Sequence, residues 1–144
     1  RESEFDPAAR SSADARGLMQ VLPGTAKQMA AKLGRPFDAS KLISDPAYNV
    51  TMGSAYLAEM AEEFGPSITL IASGYNAGPG RPRRWISEFG DPRRSDVDVV
   101  DWIETIPFAE TRTYVMRVAE GVVIYRAKRK GAFGPVRITE ELKC

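Results

Sequence analysis

Apolar residues recur along this chain at helical intervals. The clearest run is Tyr48, Met52, Tyr56, Met60 and Phe64, one residue in every four, which predicts a helix with a single apolar stripe. Ser44-Asp45-Pro46 ahead of it offers a polar cap followed by a first-turn proline, and Gly65 offers a stop. Pro23-Gly24-Thr25 opens another helical pattern that runs to about Gly34. Pro66 starts a further helix through Ile68, Leu70 and Ile71. Gly74-Tyr75-Asn76-Ala77-Gly78-Pro79-Gly80 breaks it and reads as a loop or tight turn. A short helix is expected around Trp85 to Phe89, then a polar, exposed segment from Asp91 to Asp96. A long helix is expected from about Pro107 to Lys130. It places Val115, Val118, Val122 and Tyr125 on or near one face, and its basic end suits the negative end of the helix dipole. Strand signals are weak: Val136-Arg137-Ile138 reads as a short edge strand or a tail. The predicted class is all-α, with helices packed around one core.

Composition narrows the chemistry. The 144 residues have room for a single domain, with residues 131–144 read as a C-terminal tail. Hydrophobic residues at 43% and charged residues at 27% fit a soluble globular chain. No stretch approaches the ~20 consecutive apolar residues of a transmembrane helix. A net charge of +1 gives no general case for nucleic acid as a partner. The local clusters Arg81, Arg83, Arg84 and Lys128, Arg129, Lys130 read as solvated helix ends and loops, or else as a groove facing an anionic polymer. The chain begins Arg-Glu-Ser-Glu, without methionine or an apolar leader, and so reads as processed or trimmed. There is no histidine, and the one cysteine is Cys144. That removes Ser-His-Asp and Cys-His catalysis, and no metal or cofactor is expected. Acid–base chemistry must rest on carboxylates, tyrosines or lysines.

Several polar residues sit in apolar or turn contexts. Gln20 lies in the apolar run Gly-Leu-Met-Gln-Val-Leu, so its amide is either a satisfied structural group or one that bonds a ligand. Asn76 either tolerates a turn's backbone or faces a ligand that approaches the glycines closely. Tyr75 beside it points either way. Glu104 stands between apolar residues in Trp-Ile-Glu-Thr-Ile-Pro, where an unpaired acid is costly if buried, and Arg112 is one possible partner. Tyr114 and Tyr125 are eleven residues apart, three turns on one helical face, and read as core tyrosines or as site residues.

Taken in order, these pieces form a pattern. Glu2-Ser3 with Phe5 and Pro7, then Ser11, leads to Gly17-Leu18-Met19-Gln20, with Pro23 and Thr25-Ala26 after it. Tyr75-Asn76-Ala77-Gly78-Pro79-Gly80 follows, then Trp102-Ile103-Glu104-Thr105-Ile106-Pro107-Phe108 and Glu110-Thr111-Arg112 with Tyr114-Val115. Over residues 1 to about 126 the chain resembles the catalytic domain of the soluble lytic transglycosylases, lysozyme-like peptidoglycan enzymes grouped with goose-type lysozyme.

The resemblance implies a lysozyme-like, all-α fold with a groove for the glycan strands of peptidoglycan. It implies cleavage of the β-1,4 bond between N-acetylmuramic acid and N-acetylglucosamine with a 1,6-anhydromuramoyl end as product. Glu2 falls on the catalytic acid/base. Gln20, Tyr75, Asn76, Glu104 and Tyr114 fall on groove positions, Ser11 on a serine near the catalytic pocket, and Tyr125 on a less distinct groove position. The resemblance also implies that the chain is the C-terminal part of a longer protein, lacking its first helix. A peptidoglycan substrate places the activity in the periplasm or cell envelope. Two other readings stay open: a hydrolase of the lysozyme (muramidase) type, and a non-catalytic glycan-binding module.

Overall fold

The computed structural model describes residues 15–130. Among them the chain forms seven helices: α1 Pro23–Leu33, α2 Lys41–Ser44, α3 Pro46–Phe64, α4 Ile68–Ala77, α5 Gly80–Phe89, α6 Val99–Glu104 and α7 Ala109–Lys130. No strand forms among the described residues beyond one isolated bridge, Arg16 to Val21. The all-α expectation holds. The possible strand at Val136–Ile138 lies outside the described residues. Contacts divide the chain into two compact units, Arg1–Glu59 and Met60–Cys144.

In the first unit, α1 begins with Pro23, whose fixed φ suits the first turn. It ends at Gly34, whose φ of 66° a side chain would strain. The cap of α3 is Asp45, whose Oδ1 accepts the Tyr48 N–H at 3.2 Å; Ser44 instead closes α2. Val21, Ala26, Met29, Ala30, Leu42, Tyr48 and Met52 form the core of this unit, with Met19, Ala55 and Tyr56 packed against it. The Tyr48 hydroxyl donates to the Pro36 carbonyl at 3.2 Å and accepts the Asp38 N–H at 3.0 Å, so its burial leaves no polar atom stranded.

In the second unit, Met60 and Phe64 complete the stripe of α3, each 2% exposed, and Gly65 ends the helix at φ 61°. The Ser67 hydroxyl caps α4 by accepting the Leu70 N–H at 3.2 Å. Two sequence expectations are corrected here. The helix does not break at Gly74; α4 runs on to Ala77, and Tyr75 and Asn76 lie in its last turn. Gly74 is a packing glycine, because a Cβ there would meet Met60 Sδ at 2.8 Å and Phe64 Cε2 at 3.0 Å. The real stop is Gly78, at φ 87°, and α5 starts at once at Gly80 rather than near Trp85.

The apolar stripe of α7 is also shifted. Thr111, Val115, Ala119 and Val123 are buried, whereas Tyr125 is 60% exposed. α4 packs on α7 and on α5, and α6 packs on α7. Trp85 sits edge-on to Trp102 (centroids 6.4 Å apart) and to Phe108 (5.6 Å), with the Arg81 guanidinium 4.8 Å from the Phe108 ring. The basic cluster of α5 is thereby dispersed: Arg81 stacks, Arg83 pairs with Glu63, and Arg84 pairs with Glu88 at 2.8 Å.

Candidate functional site

Glu2 and Ser11 lie outside the described residues, so the site is built from the remaining positions, unit by unit. In the first, Gly17-Leu18-Met19-Gln20 is the turn of a miniature hairpin. Arg16 N–H donates to the Val21 carbonyl at 3.0 Å and Val21 N–H returns to Arg16 at 2.9 Å. Gly17 takes φ 77°, and Gln20 takes φ 49°, the one non-glycine residue with positive φ among those described. A non-glycine residue in that region costs of order 1 kcal/mol or more and persists where its surroundings impose it.

The turn that holds Gln20 is pinned by Asn49, fully buried on α3. Its Oδ1 accepts the Met19 N–H at 2.9 Å. Its Nδ2 donates to the carbonyls of Arg16 at 2.7 Å and Leu42 at 3.1 Å. Gly17 is required by the same contact, since a Cβ there would fall 2.3 Å from Asn49 Nδ2 and 2.5 Å from the Leu42 oxygen. One turn along α3, Gly53 leaves bare backbone for Met19, whose Cβ and Sδ would both lie 2.6 Å from an added Cβ. Gln20 is half-buried, and its Nε2 donates to the Gly17 carbonyl at 2.8 Å. Its Oε1 has no partner among the described residues and is left as an acceptor.

In the second unit, Tyr75 and Asn76 stand at the end of α4, both half-buried. Asn76 Oδ1 accepts a hydrogen bond of 2.7 Å from the hydroxyl of Thr111, a residue only 3% exposed in the first turn of α7. Tyr114 lies one turn further along α7, half-buried. Glu104 is exposed at the end of α6, and with Arg112, Thr113, Met116, Arg117 and Glu120 it lines an open groove of about 620 Å³. Arg112 is not held by Glu104: its guanidinium donates to the Ile106 carbonyl at 2.8 Å. Tyr125 stands apart, exposed on α7 with the Arg129 guanidinium 5.8 Å from its ring. So Asn76 meets Thr111 across the contact of α4 with α7, Glu104 lines the open groove, and Tyr125 stands on the exposed face of α7.

Among the described residues, the shifted titrations lie elsewhere. Burial, with Glu59 adding to it, pushes the Tyr56 phenol above its ordinary range. The Arg83 hydrogen bond holds Glu63 low, and that of Arg93 holds Asp91 low. No cluster of His, Cys, Asp and Glu among the described residues could hold a metal ion.

Sequence reasoning missed Asn49 and Thr111. Each leaves a trace. Asn49 sits next to Tyr48 and three residues before Met52, at the flank of the apolar stripe. Thr111 lies four residues before Val115 on the buried stripe of α7.

Residues 1–97, which run through the hairpin and the Tyr75-Asn76 helix end, match the family model described as the transglycosylase SLT domain. The chain belongs to the transglycosylase SLT domain family. Its SLT relatives include the soluble lytic murein transglycosylase of Escherichia coli K12, 35% identical over 127 residues, covering 88% of this chain and 19% of the relative. The putative soluble lytic murein transglycosylase of Haemophilus influenzae is 39% identical over 118 residues, 82% of this chain and 19% of the relative. Among solved structures, the 70 kDa soluble lytic transglycosylase of Escherichia coli superposes with a TM-score of 0.77 at 36% identity, covering 89% of this chain and 20% of that one. An inactive mutant of lytic transglycosylase Slt from Pseudomonas aeruginosa gives 0.73 at 40% identity, covering 93% and 21%. The chain therefore spans about one fifth of these soluble SLT proteins, and its fold is that of their lysozyme-like part. No helix among the described residues is long and apolar enough to cross a membrane.

Proposed function

We propose that this protein is a lytic murein transglycosylase of the cell envelope, acting in the periplasm. Its reaction opens the β-1,4 bond between N-acetylmuramic acid and N-acetylglucosamine and closes a 1,6-anhydro ring. One observation carries the reading: a single uninterrupted family match runs through Glu2, the Gly17–Gln20 hairpin and the Tyr75-Asn76 helix end.

Glu2 supplies both proton transfers. Its carboxyl protonates the leaving glycosidic oxygen. Its carboxylate then takes the proton of the sugar's own C6 hydroxyl, whose oxygen attacks the anomeric carbon. The proton returns to Glu2, no water is consumed, and a second catalytic acid is unnecessary, unlike the usual two-carboxylate hydrolysis. Glu2 must be protonated near neutral pH, which requires an apolar, partly desolvated seat; Phe5, Leu18 and Met19 are candidates for it. Two amides of opposite polarity support the positioning role: Gln20 keeps Oε1 as an acceptor, and Asn76 keeps Nδ2 as a donor.

Digestion of purified sacculi, with mass spectrometry of the soluble products, tests this. Anhydro-ended muropeptides are expected. Glu2→Gln keeps the shape, removes the proton donor, and is expected to lower the rate by about 10²–10⁴ while binding persists. Near-normal turnover by that variant refutes the role of Glu2. Reducing ends without anhydro sugars make the protein a muramidase. Sacculus binding without any release makes it a glycan-binding module.

A further inference from the structure

We infer that Thr111 is the positioning residue that sets which way the Asn76 amide faces, and hence that Asn76 meets its ligand as a hydrogen-bond donor. The inference rests on the reading of the helix end as part of a glycan site. The Thr111 hydroxyl is buried, and its proton goes to Asn76 Oδ1 at 2.7 Å, its one side-chain partner among the described residues. An amide has one oxygen and one NH₂ group. With the oxygen held toward α7, the two N–H bonds of Nδ2 are what remain. Among the described residues Nδ2 has no partner, and Asn76 is half-buried at a helix end where the chain turns away at Gly78. Its complement is an oxygen acceptor without a proton, such as the carbonyl of an acetamido group.

The hydroxyl is the donor on α7 that tells the oxygen face of the amide from its nitrogen face. Without it, Asn76 Oδ1 would lose its partner, and the side chain would sample both orientations. Thr111 touches no substrate in this scheme and acts only through Asn76. Its sequence neighbours in Glu110-Thr111-Arg112 point to other tasks, Arg112 bracing the Ile106 carbonyl at 2.8 Å.

The experiment compares Thr111→Val, which keeps the shape and removes the donor, with Thr111→Ser, which keeps the donor. Each is made alone and with Asn76→Ala, and kcat and KM are measured on soluble glycan chains cut from peptidoglycan. Thr111→Val is expected to lower kcat/KM about tenfold, as for a lost buried hydrogen bond. Thr111→Ser is expected within about twofold of the parent, and Thr111→Val is expected to add nothing on top of Asn76→Ala, since the two act as a unit. Asn76→Asp, which still accepts from Thr111 but has no N–H to offer, is expected to fold normally and bind glycan as poorly as Asn76→Ala. The side-chain amide signal of Asn76 in a ¹⁵N–¹H spectrum gives a readout without turnover: it is expected to move in Thr111→Val and stay in Thr111→Ser. Additive losses, a serine variant as impaired as the valine one, or an Asn76→Asp variant that binds normally would each overturn the inference. A parent protein without lytic activity would refute the function above instead. In that case an amide signal unmoved by Thr111→Val overturns the positioning role, and a shifted one supports it.

Discussion

The Arg16–Val21 hairpin and the Trp85–Trp102–Phe108 cluster both carry family motifs, yet different forces hold them. The hairpin is specified by one buried amide, two glycines and a residue in a costly backbone conformation. The aromatic cluster is specified by area: Trp85 and Trp102 are each 2% exposed, and among the described residues one side-chain hydrogen bond anchors it, from Trp102 Nε1 to the Gly90 carbonyl at 2.8 Å. Hydrogen bonding fixes geometry sharply but contributes little net energy, because water offers the unfolded chain the same bonds. Apolar burial contributes more and directs less. The difference predicts that damage to the cluster is global, whereas damage to the hairpin is local.

The largest effect is expected at the cluster. Trp102→Ala should cost about 3–5 kcal/mol, read from urea unfolding, with amide exchange faster throughout the second unit. Next comes Asn49→Ala, which takes a partner from the Met19 N–H and the Leu42 carbonyl, leaves the Arg16 carbonyl with Val21 alone, and should cost roughly 1–3 kcal/mol. Its signature is concentrated: the amides of Met19 and Val21 should lose exchange protection well before those of the α3 interior. If Asn49→Ala proved neutral, or its loss spread evenly over the unit, the contrast would collapse.

The smallest effect is a control on surface charge. The Asp91 carboxyl lies below its ordinary range because the Arg93 guanidinium bonds it, the nearest contact being 2.8 Å. A depressed folded pKa means that the pair's contribution is present above the unfolded carboxylate pKa, about 4, and is lost as pH falls through the lower folded value. With both side chains partly solvated, the amount is at most about 1 kcal/mol. Asp91→Asn should therefore flatten the acid limb of the urea midpoint against pH slightly and leave neutral stability within that margin. An unchanged acid limb would show that this pair, too, contributes nothing measurable.

Much of this architecture was legible in the sequence because start and stop signals act locally. Pro23, Gly34, Asp45, Pro46 and Gly65 each bias their own dihedrals or cap their own helix end, so α1 and α3 fall where the pattern puts them. Gly74 misled because a glycine that makes room for Met60 and Phe64 looks, in sequence, like one that makes a turn. Tyr125 misled because a run of valines outweighed the smaller Thr111 and Ala119, and helix faces only about 100° of turn per residue apart are easily confused. Among the candidate site residues, Gln20, Tyr75, Asn76, Glu104 and Tyr114 stood out through resemblance. Asn49 did not, since its partners lie seven, thirty and thirty-three residues away and nothing short-range marks them.

The Asn49 node also says what travels together when such a protein is rebuilt. The Gly-Leu-Met-Gln turn is not a portable cassette. Its conformation is written partly in a helix thirty residues downstream, in Asn49 and in the bare step at Gly53 where Met19 rests. A chimera that swaps the turn alone inherits the letters without the mould that shapes them, and one that swaps the turn with residues 49–53 inherits both.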